Sequence, residues 1–147
     1  MNSYQNVYFQ NQIRTANREQ ILIMLYDGAL LFLRQARTAW ESGKKTVKIE
    51  KTAKVVNILT ELSNTLDIEN GGEIAMQLDG IYWYMIKELI RSNTQDDPEP
   101  LNVVERILMT LREGWIGAIE KIRMDAKAGS GAAQVESADP RPVCAAV

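Results

Sequence analysis

Histidine is absent from the 147 residues, and with it go the commonest general base, the commonest metal ligand and every Ser-His or Cys-His nucleophile pair. The single cysteine, Cys144, leaves no partner for an intramolecular disulfide and no set of thiolates for a metal cluster. An excess of one charge is missing too. Against 19 acids stand 17 lysines and arginines, and a formal net charge of -2 creates no field that would draw the chain onto nucleic acid. The most apolar run, Ile21 to Leu33, is interrupted by Asp27 and Gly28. It is shorter than the roughly 20 residues that span a bilayer, so no membrane insertion is expected. The first twenty residues lack the basic start and apolar stretch of a secretory signal, and none is expected. These absences remove most enzyme chemistry: no catalytic residue, no cofactor and no metal is expected.

What the chain does have is helical periodicity. Asn17 followed by Gln20 reads as a capping box, and a helix is expected from there to about Ser42, where Gly43 tolerates a left-handed C-terminal turn. Its core stripe is Leu22, Leu25, Tyr26, Ala29, Leu33, Ala36 and Trp40. A second helix, from Lys44 to about Leu66, places Val55, Leu59, Leu62 and Leu66 on one side and Glu50, Lys54, Asn57 and Glu61 on the other. Asn70-Gly71-Gly72 reads as a break and not as a phosphate cradle, because no strand precedes it and no Lys-Ser or Lys-Thr follows. A third helix is expected from Gly72 to about Asn93, with Ile74, Leu78, Ile81, Tyr82, Met85 and Leu89 inward. In the fourth, Val104, Leu108, Leu111, Trp115, Ala118 and Ile122 alternate steps of four and three, the seam of a bundle helix. The expected fold is therefore all-α: an antiparallel up-down four-helix bundle over residues 17-126, an N-terminal capping segment over 1-16 and a disordered C-terminal tail over 127-147.

Two helices carry more apolar surface than a core requires. On the first, Met24 and Leu31 fall on the far side and Ile23 and Leu30 on the flank, sharing that surface with Asp27, Arg34 and Thr38. On the third, Met76, Trp83 and Ile90 stand seven residues apart on a line of their own, and Met109 and Ile116 do something similar on the fourth. Contiguous exposed apolar surface on a small domain usually awaits a partner, and grooves between helices commonly receive one. Trp115 belongs to the core seam. Asp27 and Arg112 are candidates for an interhelical ion pair or for capping the backbone of a bound chain. Tyr8 and Ile13 sit in an aromatic-rich N-terminal stretch suited to covering the same surface.

Several strings are specific in combination. Tyr8 with Gln12-Ile13-Arg14-Thr15-Ala16, Gln20 to Ala29, Asn70-Gly71-Gly72-Glu73-Ile74-Ala75, Ile81-Tyr82-Trp83-Tyr84-Met85 and Leu111-Arg112-Glu113-Gly114-Trp115 resemble, in order and spacing, the flagellar export chaperone for flagellin, the FliS family. Asn17-Arg18 departs from the Ser-Pro often found there, but keeps a side chain able to cap. The resemblance implies a cytoplasmic chaperone that binds the disordered C-terminal segment of flagellin, prevents premature polymerisation and delivers it to the flagellar type III export apparatus. It implies the export gate and other flagellar regulatory proteins as further partners. The expected client contacts are Ile23, Met24, Asp27, Leu30, Leu31, Met76, Trp83, Ile90, Met109 and Ile116. Tyr8 and Ile13 are expected in capping or export docking.

Two other readings stay open on the residues alone. A generic helical adaptor or a homodimer would bury the surplus stripes against a different partner or against itself. A carboxylate-based metal enzyme is the weaker one, since the Glu-x-x-His motifs of metal-binding bundles cannot be written without histidine. Cys144-Ala145-Ala146-Val147 matches a prenylation box in outline only, because the typical last residue and the polybasic companion are both missing.

Overall fold

A computed structural model describes residues 17–131. Within them the chain forms α1 (Arg18–Glu41), α2 (Lys45–Asn64), α3 (Ile68–Thr94) and α4 (Glu99–Gly131). The start of α1 is fixed by the expected reciprocal cap: the Gln20 amide donates to Asn17 Oδ1 at 2.8 Å and the Asn17 amide to Gln20 Oε1 at 3.0 Å. At its far end Gly43 takes φ 72°, which lets the Lys44 amide reach the Ala39 carbonyl at 2.8 Å. The expected segment 1-16, with Tyr8 and Ile13, and residues 132-147 of the expected tail lie outside the described residues.

Each helix packs on its chain neighbours and α4 closes back on α1, so the four form a ring in the order α1, α2, α3, α4. Successive helices run antiparallel, as the pairings Asp27–Arg112 and Arg34–Glu105 between α1 and α4 require. Tyr26, Leu33, Val55, Leu59, Leu62, Tyr82, Met85, Leu89, Val104 and Leu108 are fully buried at the centre. Each such side chain contributes roughly 1.5–3 kcal/mol by leaving water, and this packing, more than helix propensity, holds the four helices together.

One polar cluster crosses the core. The Tyr26 and Tyr82 hydroxyls are hydrogen-bonded at 2.7 Å, and Trp115 Nε1 donates to the Tyr26 hydroxyl at 2.9 Å. The three residues tie α1 to the diagonally opposite α3 and to α4. Burial pushes the ionisation of both phenols upward, so they stay neutral. Trp115 is core, as its place on the seam implied.

The structure departs from the sequence expectations at definite places. Helix α3 begins at Ile68, because Asp67 caps it by accepting from the Asn70 amide at 3.1 Å. The break comes inside this element, at Gly72, whose φ 57° and ψ −136° suit glycine alone. Helix α4 continues five residues past 126, to Gly131, since nothing in Lys127 to Gly131 forbids another helical turn. Ile74, assigned to the core, is 50% exposed, two residues past the Gly72 break, where the helix is only resuming. Trp40 is 37% exposed because the register places it level with Glu99, where α4 only begins. Leu25 is half-buried. Conversely, Lys48, Thr52 and Leu101 are buried.

Candidate binding surface

The seam between α1 and α4 collects seven of the ten expected contact residues. At the end where α1 starts, Ile23, Met24, Ile116, Ile119 and Ile122 line an open groove of 730 Å³ rimmed by Asn17, Glu19, Gln20, Glu120 and Arg123. Further along the same seam a second hollow of 340 Å³ is bordered by Asp27, Leu30, Arg34, Met109, Arg112 and Glu113. Leu31 stands on the outer wall, 51% exposed, and Met109 and Ile116 are exposed to 44% and 40%. Ile23 and Met24 are half-buried. Leu30 needs correction: at 5% exposure it is part of the core cluster and shows only its edge to the seam. Its wheel position, 40° from Tyr26, already lies under the ridge of α4.

Asp27 and Arg112 do form the interhelical pair. Arg112 Nε lies 2.5 Å from Asp27 Oδ1 and Nη2 lies 3.4 Å from Oδ2, a forked geometry that clips α1 to α4 between the two hollows. A second clip follows two turns on, where Arg34 and Arg37 both reach Glu105. These bonds are exposed or half-exposed, so they set register more than they add stability.

The remaining three residues occupy a different face. Met76, Trp83 and Ile90 are exposed to 62%, 47% and 54%. They lie on the flank of α3 that faces α2, the flank on which Asp79 accepts a hydrogen bond from Ser63. In the ring order, the α2/α3 edge is opposite the α1/α4 edge. The structure therefore divides the expected contacts between two opposite sides and does not bring them into one patch.

A third apolar groove, of 530 Å³, went unread in the sequence. Gln77, Gly80, Ile81, Tyr84 and Ile107 line it between α3 and α4. Its signal was present in Gly80: a glycine on the flank of a helix leaves a hollow, and Ile81 beside it is half-exposed. Among the described residues no group of three or more His, Cys, Asp or Glu side chains is placed to hold a metal ion. No helix among them is long and apolar enough to cross a membrane. The chemistry on offer is thus the burial of apolar side chains along open seams, with a few fixed charges for orientation.

Comparison with known proteins shows the family. The sequence pattern of the family described as flagellar protein FliS matches residues 1–122. The chain belongs to the FliS family. Relatives carrying the name flagellar secretion chaperone include FliSB of Pseudomonas aeruginosa, 37% identical over 117 residues, with 80% of this chain and 93% of the relative covered. FliS of Salmonella typhimurium is 36% identical, with 77% and 84% covered, and FliS of Bacillus subtilis is 35% identical, with 84% and 91% covered. A solved flagellar chaperone from bacteria superposes with a TM-score of 0.67 at 21% identity, covering 81% of this chain and 97% of that one, which shows a shared fold. These FliS relatives are named as chaperones and not as enzymes. The match ends at Ile122, so the last nine residues of α4 lie beyond the family pattern.

Proposed function

We propose that this FliS-family protein is a cytoplasmic chaperone that binds the disordered C-terminal region of flagellin, prevents its premature polymerisation and delivers it to the flagellar type III export apparatus. One observation carries the reading: exposed apolar residues form lines on two opposite sides of a bundle whose own core is already complete. A rigid globular partner meets one side of a surface, whereas a disordered segment wraps around and uses both. Such a segment loses considerable chain entropy on ordering, so it needs long apolar seams and not one polar pocket. Met24, Met76 and Met109 supply adaptable contacts and Trp83 a large stiff one. Tyr8 and Ile13, nine and four residues ahead of Asn17 in the sequence, are assigned on this reading to capping or export docking.

Co-expression with a C-terminal flagellin fragment tests this. A stable one-to-one complex is expected, lost in Met24→Asp, Leu31→Asp and Trp83→Asp while circular dichroism keeps the helical content. Failure of the wild-type chain to form the complex overturns the reading, as does undiminished binding by all three variants.

A further inference from the structure

Positive charge is concentrated in one stretch of the chain. Seven of the 17 cations fall between Arg34 and Lys54, a stretch that holds only Glu41 and Glu50 of the 19 acids. Part of this charge is answered within the fold: Arg34 and Arg37 share Glu105, Lys45 lies 3.9 Å from Asp96, and Lys48 is buried with its ammonium on the Ser92 carbonyl at 2.7 Å. Lys44, Lys51 and Lys54 have no carboxylate partner among the described residues.

Those three share a flank. Lys44, Val47, Lys51 and Lys54 follow at steps of three and four, which aligns them on the side of α2 that faces α1. With Arg34, Thr38, Ala39 and Ser42 of α1, the residues Lys44, Val47 and Lys51 border an open groove of 420 Å³. One turn along, the Lys51 and Lys54 ammonium groups sit 5.6 and 5.4 Å from the centre of the Phe32 ring. The ring steadies both cations without neutralising them, so less rotamer freedom is left to lose when an anion arrives. Helix α2 also starts with no side-chain cap and no acid in its first turn, which leaves its positive end open beside Lys44.

We propose that the α1/α2 face docks an acidic, partly aliphatic segment of a second protein. The cations on the rim receive carboxylates, and Ala39 with Val47 on the floor receives an aliphatic side chain. The groove is open along its length, which fits an extended chain and not an enclosed small anion. A flat anionic membrane is the poorer match, because Glu41, Asp96, Asp97 and Glu99 lie at the same end of the bundle and would be pressed against it. Single-stranded nucleic acid needs an open aromatic face for stacking, and here Phe32 is covered by two ammonium groups. The face meets the α1/α4 seam only through Arg34, so the proposal stands apart from the flagellin reading.

The test is a titration of the ¹⁵N-labelled full chain with a peptide of alternating Glu and Leu, and in parallel with one of alternating Lys and Leu. With the acidic peptide, amide shifts at Thr38, Ala39, Ser42, Lys44, Val47 and Lys51 are expected, with affinity falling about tenfold or more as salt is raised through the physiological range. The triple variant Lys44→Glu, Lys51→Glu, Lys54→Glu is expected to abolish them. Should that variant lose its helical circular dichroism, the neutral set Lys44→Gln, Lys51→Gln, Lys54→Gln carries the test, with affinity reduced at least about fivefold. Shifts elsewhere, equal binding of the basic peptide, or binding unchanged by charge removal overturn the proposal. So does a response of the same amides to phosphatidylglycerol vesicles or single-stranded DNA with none to the acidic peptide.

Discussion

The two ends of the bundle are closed by different means. Where α1 hands over to α2 and α3 to α4, polar bonds do the closing: Lys48 donates to the last-turn carbonyl of Ser92, the Ser92 hydroxyl reaches the Asp97 carbonyl at 2.5 Å, and the Asp97 amide returns to Ser92 at 3.1 Å. A buried ammonium at a helix C-terminus satisfies orphan carbonyls and the negative end of the dipole together. At the opposite end Gly72 breaks α3, Ile68 and Ile74 are exposed to 41% and 50%, and Ile119 and Ile122 rest half-covered beside the 730 Å³ groove. The contrast teaches that the two ends are closed by different chemistry. Polar bonds to helix-end carbonyls hold one, and half-covered apolar side chains the other.

Matched deletions are the strongest way to break this contrast. Leu101→Ala, at the closed end and fully buried, is expected to cost about 2–5 kcal/mol, while Ile122→Ala at the open end costs about 1 kcal/mol or less. Urea unfolding midpoints read both, and equal losses would erase the distinction. Next in size is Lys48→Ala, expected to cost about 1–3 kcal/mol, because the Ser92 carbonyl keeps only the Asp97 amide as donor and the buried lysine stem leaves a void. Burial lowers the Lys48 pKa below its ordinary 10.5, so between the lowered value and 10.5 the unfolded chain holds the proton more firmly than the folded one. Across that window wild-type stability should therefore rise with pH relative to Lys48→Met, and a flat difference would remove the buried ammonium from the account.

The triad between the two ends should respond in the other direction. Tyr82 has its ionisation raised above 10.0, so its contribution is complete below pH 10 and falls as the unfolded phenol begins to ionise. Tyr82→Phe is expected to cost about 1 kcal/mol at neutral pH and to flatten the alkaline loss. The smallest effect belongs to Asp27→Asn. An exposed clip of this kind contributes under about 1 kcal/mol, and thermal unfolding should barely move.

How legible all this was depended on whether the cause was local. The Asn17–Gln20 cap, the four amphipathic stretches and the Trp115 seam position are written in residues three or four apart, and they appear as read. Leu30, Ile74 and Trp40 were misplaced because their burial depends on what the fold offers at that level: a ridge, the break at Gly72 or a helix not yet begun. Lys48 and Thr52 continue the Val55, Leu59, Leu62 stripe backward at steps of three and four, yet a lysine in that line reads as its end. Only the approach of the α3 C-terminus explains why it is inside. The division of the apolar contacts between two edges follows from ring order, which no single helix encodes.

The Tyr26–Tyr82–Trp115 triad has a consequence for how those edges work. Each member is the immediate chain neighbour of a seam residue, Asp27, Trp83 and Ile116 respectively, so the hydrogen bonds that join them hold both outer edges at one spacing. Under the proposed client-binding function, a guest settled on one edge would find the other already at a set distance, and its second half would arrive by tethering rather than by a fresh collision. On that proposal the frame would work as a gauge of chain length: too short a linker between the two halves of the guest would forfeit one edge altogether.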